Sequence, residues 1–183
     1  MKHNVWRCQR GAMFGLDARI ALAIFGGLSV VAGISVYGVI SDTNTTALLA
    51  ELDNISKART NYIFDVGSEP KQFENLYSPT GSFTWKGPYM TMSSDKNVRF
   101  GGTYDFFVGR ENGQAAVPPA QCDRSPGEVC ASWVRLTLVP DEVAQALDEK
   151  VDSGDGNASG NLRIEPQPSD DIIYYKLGQY MRR

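Results

Sequence analysis

The first third of the chain carries two successive hydrophobic patterns. Residues 20–40, IALAIFGGLSVVAGISVYGVI, form a run of 21 residues without a charged side chain. A helix over this run would span about 30 Å, which is the thickness of the hydrocarbon core of a membrane. Beyond it, apolar residues recur at steps of three, four and seven, as on one face of an amphipathic helix. These residues are Leu48, Leu52, Ile55, Tyr62 and Ile63.

No proline occurs before Pro70, so no helix-breaking residue separates the two patterns. Together they predict one long helix from about residue 14 to about residue 65, on the order of 75 Å in length. Its first half would be apolar all round, and its second half apolar on one side.

Basic residues precede the apolar run and acidic residues follow it. The positive-inside rule then places the N-terminus in the cytosol and the bulk of the chain outside. A cleaved secretory signal is the alternative, but its apolar core has about 7–15 residues, and here the run is longer and helical patterning continues past it. The flanking charges are Lys2, Arg7, Arg10 and Arg19 before the run and Asp42, Glu51 and Asp53 after it.

After residue 65 the pattern changes to short runs rich in aromatic and β-branched residues, separated by turn residues. In residues 132–139, SWVRLTLV, strict alternation places Val134, Leu136 and Leu138 on the apolar side. We expect an α+β fold in which an antiparallel sheet of four or five strands packs on the outward half of the long helix. The candidate strands are residues 88–93, 98–109, 132–140, 161–166 and 172–177.

Two shorter helical segments are also predicted. Residues 71–77 form at most a short helix within a loop that is rich in proline and glycine. Residues 140–152 predict a helix with Val143, Leu147 and Val151 on one face.

Charge and histidine content exclude several classes of function. The 183 residues include 18 Lys and Arg against 21 Asp and Glu, a net charge of -3, which argues against binding nucleic acid through a basic face. The single histidine is His3, so a histidine-based catalytic or metal site in the folded body is nearly excluded. Acid pairs such as Asp170 with Asp171 are expected on any solvated surface, and we do not expect an enzyme.

The chain has three cysteines, on both sides of the apolar run. Cys122 and Cys130 close the short loop CDRSPGEVC, and beyond a membrane, in an oxidising compartment, this pair predicts a disulfide. Zinc would need more ligands than two cysteines supply. Cys8 precedes the run and is interpreted as a reduced cytosolic thiol.

The N-terminal motif resembles that of type IV pilins and type II secretion pseudopilins. A short basic leader ends in Gly11-Ala12, an acid follows at Asp17, and then comes ALAIFGGLSVVAGI. Aligning AIFG with the family's Ala-Ile-Ile-Gly puts Met13 at the first mature position and Asp17 at the fifth, where the family carries glutamate. The resemblance implies methylation and cleavage by a prepilin peptidase between Ala12 and Met13; a cut after Gly11 is the other reading.

The resemblance implies that assembly involves Phe14, Asp17 and Arg19. An unpaired carboxylate in apolar surroundings costs about 2.5–3.5 kcal/mol on insertion scales. The α-amino group that cleavage creates on Met13 of a neighbouring copy would neutralise Asp17 and set the axial register of assembly. The alternative is an interfacial acid that pairs with its own Arg19 or is wetted by headgroups. The chain departs from the family in its Asp for Glu, in Arg19, in Ala12 before the cut and in the lack of a mid-helix proline.

A second stretch resembles the major pseudopilin. That family has an Asp-x-Gly-x-x-Pro turn, a Leu and a Trp-Lys-Gly-Pro-Tyr-Leu segment. The matching residues here are Asp65, Gly67, Pro70, Leu76, Trp85, Lys86, Gly87, Pro88, Tyr89 and Met90. The family's later Asp-Pro-Trp-Gly motif is missing.

The turn DSGDGN offers three oxygen side chains among glycines, from Asp152, Asp155 and Asn157. Calcium binds in such loops, although the alternating ligands and final glutamate of an EF-hand are absent. The alternative is a solvated turn. The resemblance adds weight to calcium, because major pseudopilins carry a calcium site in their C-terminal loop.

These patterns predict a structural subunit of a type IV pilus-like or type II secretion pseudopilus filament. Its parts would be a cytosolic leader (1–12), a transmembrane assembly helix (13–40), an amphipathic continuation (41–65) and a periplasmic or extracellular domain (66–183). The resemblance implies a bacterial inner-membrane precursor whose partners are further copies and other pilin-like subunits, the prepilin peptidase, and a membrane platform protein with its ATPase. The rival is a single-pass anchored periplasmic binding or enzymatic domain.

Overall fold

The computed structural model describes residues 13–79, 81–111, 117–123, 125 and 127–181. The fold is α+β, with one long N-terminal helix and a four-stranded antiparallel sheet, as predicted. The chain divides into two compact units, Met1–Ser41 and Asp42–Arg183. In order, the elements are α1 (Met13–Val66), a 3₁₀ turn (Phe73–Leu76), β1 (Tyr104–Arg110), β2 (Cys130–Val139), α2 (Asp141–Asp152), β3 (Leu162–Glu165) and β4 (Asp171–Gln179).

Helix α1 ends within one residue of the predicted end, and it is helical from Met13, the first residue that the structure describes. It stops at Val66 because Gly67 adopts a left-handed conformation (φ 74°), which ends the helix. Glycine adopts this conformation without steric cost, since it has no Cβ. The Gly67 N–H donates to the carbonyl of Ile63 over 2.8 Å and closes the last turn.

The N-terminal unit contains the apolar part of α1. This stretch is long and apolar enough to cross a membrane by length and composition. Between residues 20 and 40, every large apolar side chain that the structure describes is exposed, and examples are Leu22, Phe25 and Ile34. Such a continuous apolar surface is typical of a site that another molecule or a membrane covers, and none of the residues that the structure describes buries it.

The second unit is built around the amphipathic part of α1. The predicted apolar stripe is buried, and Leu48, Leu52 and Ile55 have no exposed surface. They pack in one cluster with apolar side chains of β2, α2, β3 and β4, including Leu136, Leu147, Leu162, Ile164 and Ile173. The hydrophobic core therefore lies between this part of α1 and one face of the sheet.

The sheet has the strand order β1-β2-β4-β3, so β2 and β4 are central. Val134 and Leu136 point into the core, as the alternation predicts. The prediction for Leu138 is wrong: it is 45% exposed with a φ of 57°, while Val139 is fully buried. The register between β2 and β4 shifts between Leu136 and Val139, and this bulge reverses the side on which the last residues of β2 lie.

The opposite face of the sheet has an apolar cluster of its own, which alternation did not predict. Trp133 is fully buried there with Ala131 and Tyr174. The Arg163 guanidinium lies over the Trp133 ring, 4.9 Å from its centroid, as a cation–π contact. The face of β2 that points away from the main core is therefore covered as well.

Two strand predictions fail before β1. Residues 88–93 form bends, and the Tyr89 N–H donates to the carbonyl of Leu76 rather than to a strand. In the 98–109 run the strand begins only at Tyr104. Asn97 organises the preceding residues as a turn, because its side-chain oxygen accepts the N–H groups of Arg99 (2.9 Å) and Phe100 (2.8 Å).

Both shorter helical segments are confirmed in outline. The 3₁₀ turn lies inside the 71–77 prediction. Helix α2 begins one residue after the predicted start, with Pro140 as its N-cap, and buries Val143 and Leu147. It also buries Asp148, an acid that lies on the same face of the helix as Ala144.

Candidate functional site

The assembly prediction centres on the start of α1. Asp17 and Arg19 both lie in the helix with exposed side chains. Residues two apart on an α-helix are rotated by about 200° and do not face each other. Accordingly, no ion pair joins Asp17 and Arg19, although both belong to the part of the chain that the structure describes.

The predicted processing site lies at the edge of the described chain. Met13 is the first residue of α1. Gly11 and Ala12, with the rest of the 1–12 leader, lie outside the described residues, as does the side chain of Phe14. The cleavage prediction therefore stays a prediction.

A second candidate site lies where α2 ends and β3 begins. One carboxylate oxygen each from Asp148, Asp152 and Asp155 lie within 4.8 Å of one another. We call these three residues the acidic cluster. Asp148 was not predicted; it is 5% exposed, and its Oδ1 has no hydrogen-bond partner among the described residues.

Burial raises the pKa of Asp148, and the nearby charges of Asp155, Asp152 and Glu149 act in the same direction. A hydrogen bond from the backbone of Gly156 opposes the shift. The neighbouring carboxylates therefore disfavour the ionised form of Asp148, and the Gly156 hydrogen bond favours it.

Asp152 ties this end of α2 to β3. Its Oδ2 accepts the backbone N–H groups of Asn161 (2.7 Å) and Leu162 (2.6 Å), and its Oδ1 accepts the Asn161 side-chain amide (3.0 Å). A Cβ at Gly160 would stand 2.5 Å from Asp152 Oδ2 and 2.8 Å from Asp155 Oδ2. A larger residue would have to displace the two carboxylates, and the φ of 75° also favours glycine, so Gly160 supports this arrangement.

The acidic cluster suits a hard cation. Carboxylate oxygens are the ligands that calcium prefers, and the unpartnered Oδ1 of Asp148 is the kind of atom that such an ion would satisfy. Asn157 is exposed just beyond the cluster, and its backbone carbonyl accepts the N–H of Ile164 over 2.7 Å. The part of the predicted calcium set that the structure brings together is Asp152 with Asp155.

The segment that resembles the major pseudopilin folds back on the end of α1. The Trp85 indole N–H donates to the carbonyl of Asn75 over 3.0 Å. The Tyr89 hydroxyl donates to Asp65 over 3.1 Å and accepts the Lys86 N–H over 3.0 Å. The Trp85 and Tyr89 rings meet edge to face at 5.7 Å. The segment thus fixes the loop that follows α1.

A buried ion pair that the sequence did not predict lies beside this loop. Arg59 of α1 forms a two-point contact with Glu69, and both side chains are under 10% exposed. Arg59 also donates to the carbonyl of Gln179, and Glu69 accepts the N–H of Met181. The spacing of Arg59 from Ile55 and Leu52, at steps of four and seven, is the signal that could have placed it on the buried stripe.

The predicted disulfide between Cys122 and Cys130 is present. Both cysteines are buried. Between them in the sequence, Glu128 pairs with Arg110 at the end of β1. The bridge and the ion pair hold this loop against the edge strand of the sheet.

Comparison of the chain with protein-family models finds no match, and comparisons with curated proteins and with solved structures find no significant similarity.

Proposed function

We propose that the chain is a structural subunit of a type IV pilus-like or type II secretion pseudopilus filament. The observation that carries the proposal is the exposed apolar surface of α1 between residues 20 and 40, on the same helix whose continuation is the core of the second unit. A lipid bilayer can cover that surface before assembly, and the helices of other copies can cover it afterwards.

Asp17 would determine the axial register in which two copies contact each other. Cleavage before Met13 would create an α-amino group, and that amine on a neighbouring copy would pair with Asp17 in surroundings where an unpaired charge is costly. Each added copy would then satisfy a charge on the previous one. The chain offers no nucleotide-binding motif, so extraction from the inner membrane would depend on an ATPase acting through a platform protein.

Within this class, the segment from Trp85 to Met90 favours a secretion pseudopilin over an adhesion or motility pilin. It contacts Asp65 and Leu76, which belong to the same stretch of resemblance. The precursor would sit in a bacterial inner membrane with its N-terminus in the cytosol and its body in the periplasm.

Mass spectrometry of protein extracted from its native membrane tests the proposal. We expect loss of the first 12 residues, or of the first 11, with or without one added methyl group. An intact Met1, or a cut beyond Ile40, would instead favour the rival in which α1 only anchors a periplasmic binding or enzymatic domain.

Assembly is tested by Asp17→Ala. We expect this variant to insert in the membrane normally and to fail to assemble, while Asp141→Ala, an exposed acid on α2, assembles like the unaltered protein. Equal assembly of all three would show that Asp17 has no special role.

We further propose that the acidic cluster binds calcium. The ion would lie against Asp148, Asp152 and Asp155, offset their mutual repulsion and fix the α2–β3 connection. Calcium should raise the unfolding temperature of the full chain in detergent, and magnesium should do so less. Asp148→Asn should abolish the calcium shift, whereas Asp141→Asn, on the same helix, should keep it. An equal shift in both variants would place calcium elsewhere.

A further inference from the structure

The proposed pairing of Asp17 with a neighbour's α-amine assigns no partner to the second charge of this region, Arg19. Arg19 is one residue from the 21-residue uncharged run and is exposed on α1. Its guanidinium stays ionised in proteins, so it cannot avoid the cost of an apolar setting by losing its proton. The proposed amine would supply a partner for Asp17 and none for Arg19.

Helix geometry excludes the simplest partner, which is Asp17 of the same chain. Two residues along an α-helix correspond to a rotation of about 200° and a rise of about 3 Å. One copy therefore presents a negative charge on one side of α1 and a positive charge on nearly the opposite side, at almost the same height. Each side is complementary to the other side of a second copy.

We propose that Arg19 of one copy pairs with Asp17 of the adjacent copy. The inference rests on the proposed function and names the contact at the same site. Because the two charges lie on opposite sides of the helix, the contact joins different faces of the two copies, and such heterologous contacts build open assemblies rather than closed dimers. Two parallel helices would meet this pairing with an axial stagger of about 3 Å.

The surroundings of the two charges permit the contact. A Cβ placed on Gly15 would have no neighbour within 4 Å, and Ala18, between the two charges, is also exposed. Small residues of this kind let helices approach closely in a membrane. A carboxylate has two oxygens and about four acceptor positions, so Asp17 can accept a guanidinium from one neighbouring copy and an α-amine from another.

The unprocessed full chain isolates this contact, because the nitrogen of Met13 is then part of a peptide bond and carries no charge. The chain, labelled with donor or acceptor fluorophores, would be reconstituted in phosphatidylcholine vesicles and its self-association measured by energy transfer. We expect Asp17→Arg alone and Arg19→Asp alone each to weaken association about tenfold, the upper range for one polar contact between membrane helices.

A double variant and a mixture of the two single variants distinguish loss of the Arg19–Asp17 pair from loss of folding or insertion. The swap Asp17→Arg with Arg19→Asp keeps the net charge and should restore association to within about threefold of the unaltered chain. A mixture of the two single variants should also associate, because one copy supplies two positive charges and the other two negative ones. Circular dichroism and carbonate extraction would verify that every variant is helical and inserted.

Association of Arg19→Ala at the unaltered level, or a swap and a mixture that both stay weak, would overturn the inference. So would an unaltered chain that does not associate in the vesicles. These results differ from failure of the proposed function, which would be seen as an uncleaved leader in the native membrane.

Discussion

A guanidinium nitrogen of Arg59 donates to the carbonyl oxygen of Gln179 over 2.8 Å, and so joins α1 to the last residue of β4, 120 positions further along the chain. The same side chain reaches Ser132 on β2 over 3.3 Å and pairs with Glu69. One buried cation therefore links α1, the loop after it and both central strands.

Removing this cation should destabilise the fold strongly. In Arg59→Met, the carboxylate of Glu69 stays buried without its partner, and breaking a buried pair in this way costs about 3–5 kcal/mol. Thermal unfolding of the full chain in detergent, followed by tryptophan fluorescence, would measure the loss. The control is Lys57→Met, which changes an exposed residue two positions before Arg59 on the same helix. It should change the free energy of unfolding by less than about 0.5 kcal/mol.

The double variant Arg59→Met with Glu69→Leu separates charge from packing. It should recover a large part of the loss, because no uncompensated charge is left in the interior. A double variant as unstable as the single one would indicate that the hydrogen bonds to Gln179 and Ser132 matter more than the charge of Glu69.

The disulfide should stabilise the folded state by restricting the unfolded chain. Its loop is short, because Cys122 and Cys130 have a sequence separation of 8, and the loop-entropy relation then gives about 2.5 kcal/mol. Replacing both cysteines by alanine should lower the free energy of unfolding by about that amount, measured in urea. Cys8→Ala is the matched control and should have no effect; a smaller loss in the double variant would mean that Arg110 and Glu128 hold the loop without the bridge.

The contact of Tyr89 with Asp65 should contribute about 1 kcal/mol. Tyr89→Phe removes the hydroxyl that donates to Asp65 and accepts the Lys86 N–H, and it keeps the ring against Trp85. Tyr77→Phe is the control, since the Tyr77 hydroxyl has no hydrogen bond within the described part of the chain. Unfolding temperatures should separate the two variants, and equal temperatures would assign the role of Tyr89 to its ring alone.

Asp171 should make stability depend on pH at the acid end. Burial raises its pKa, with the charges of Asp141 and Asp170 acting in the same direction and the Gln167 N–H opposing them. The folded state thus holds this proton to higher pH than the unfolded state does. Asp171 therefore contributes less to the free energy of unfolding as pH rises from the ordinary pKa of aspartate, about 3.9, through the raised value. Above the raised value this contribution is constant.

Asp171→Asn removes this contribution, because the amide does not titrate and its oxygen can still accept the Gln167 N–H. The unaltered protein should lose stability relative to the variant as pH rises through that window, as measured by urea unfolding at a series of pH values. A gap between the two proteins that is the same at every pH would show that Asp171 does not titrate differently on folding.

Local patterns predicted the parts of the fold that local physics determines. The apolar period of α1 and the absence of proline before Pro70 were sufficient to place its C-terminal end within one residue, and α2 followed from Val143 and Leu147. Strand residues 88–93 were mispredicted because strand formation depends on a partner, and here the Tyr89 N–H bonds to Leu76 instead. Leu138 was placed on the wrong side because alternation cannot reveal a bulge.

The residues of the candidate sites also differ in how far local sequence patterns could predict them. Asp17 and Arg19 stand out in the sequence because charge near an apolar run is rare. Asp152 and Asp155 stand out because they are in a glycine-rich turn. Asp148 was missed because acidic residues are usually solvated, although its spacing from Ala144 and Val151, at four and three residues, places it on the buried face of α2.

The position of β4 has a consequence for the biosynthesis of the protein. β4 lies between β2 and β3 in the sheet, although it follows both of them in the sequence. The slot between its two neighbours stays open until residues 171–179 have been synthesised, so β2 and β3 cannot form this sheet with each other beforehand. Nascent chains that end before residue 171 should therefore remain sensitive to proteases over the second unit.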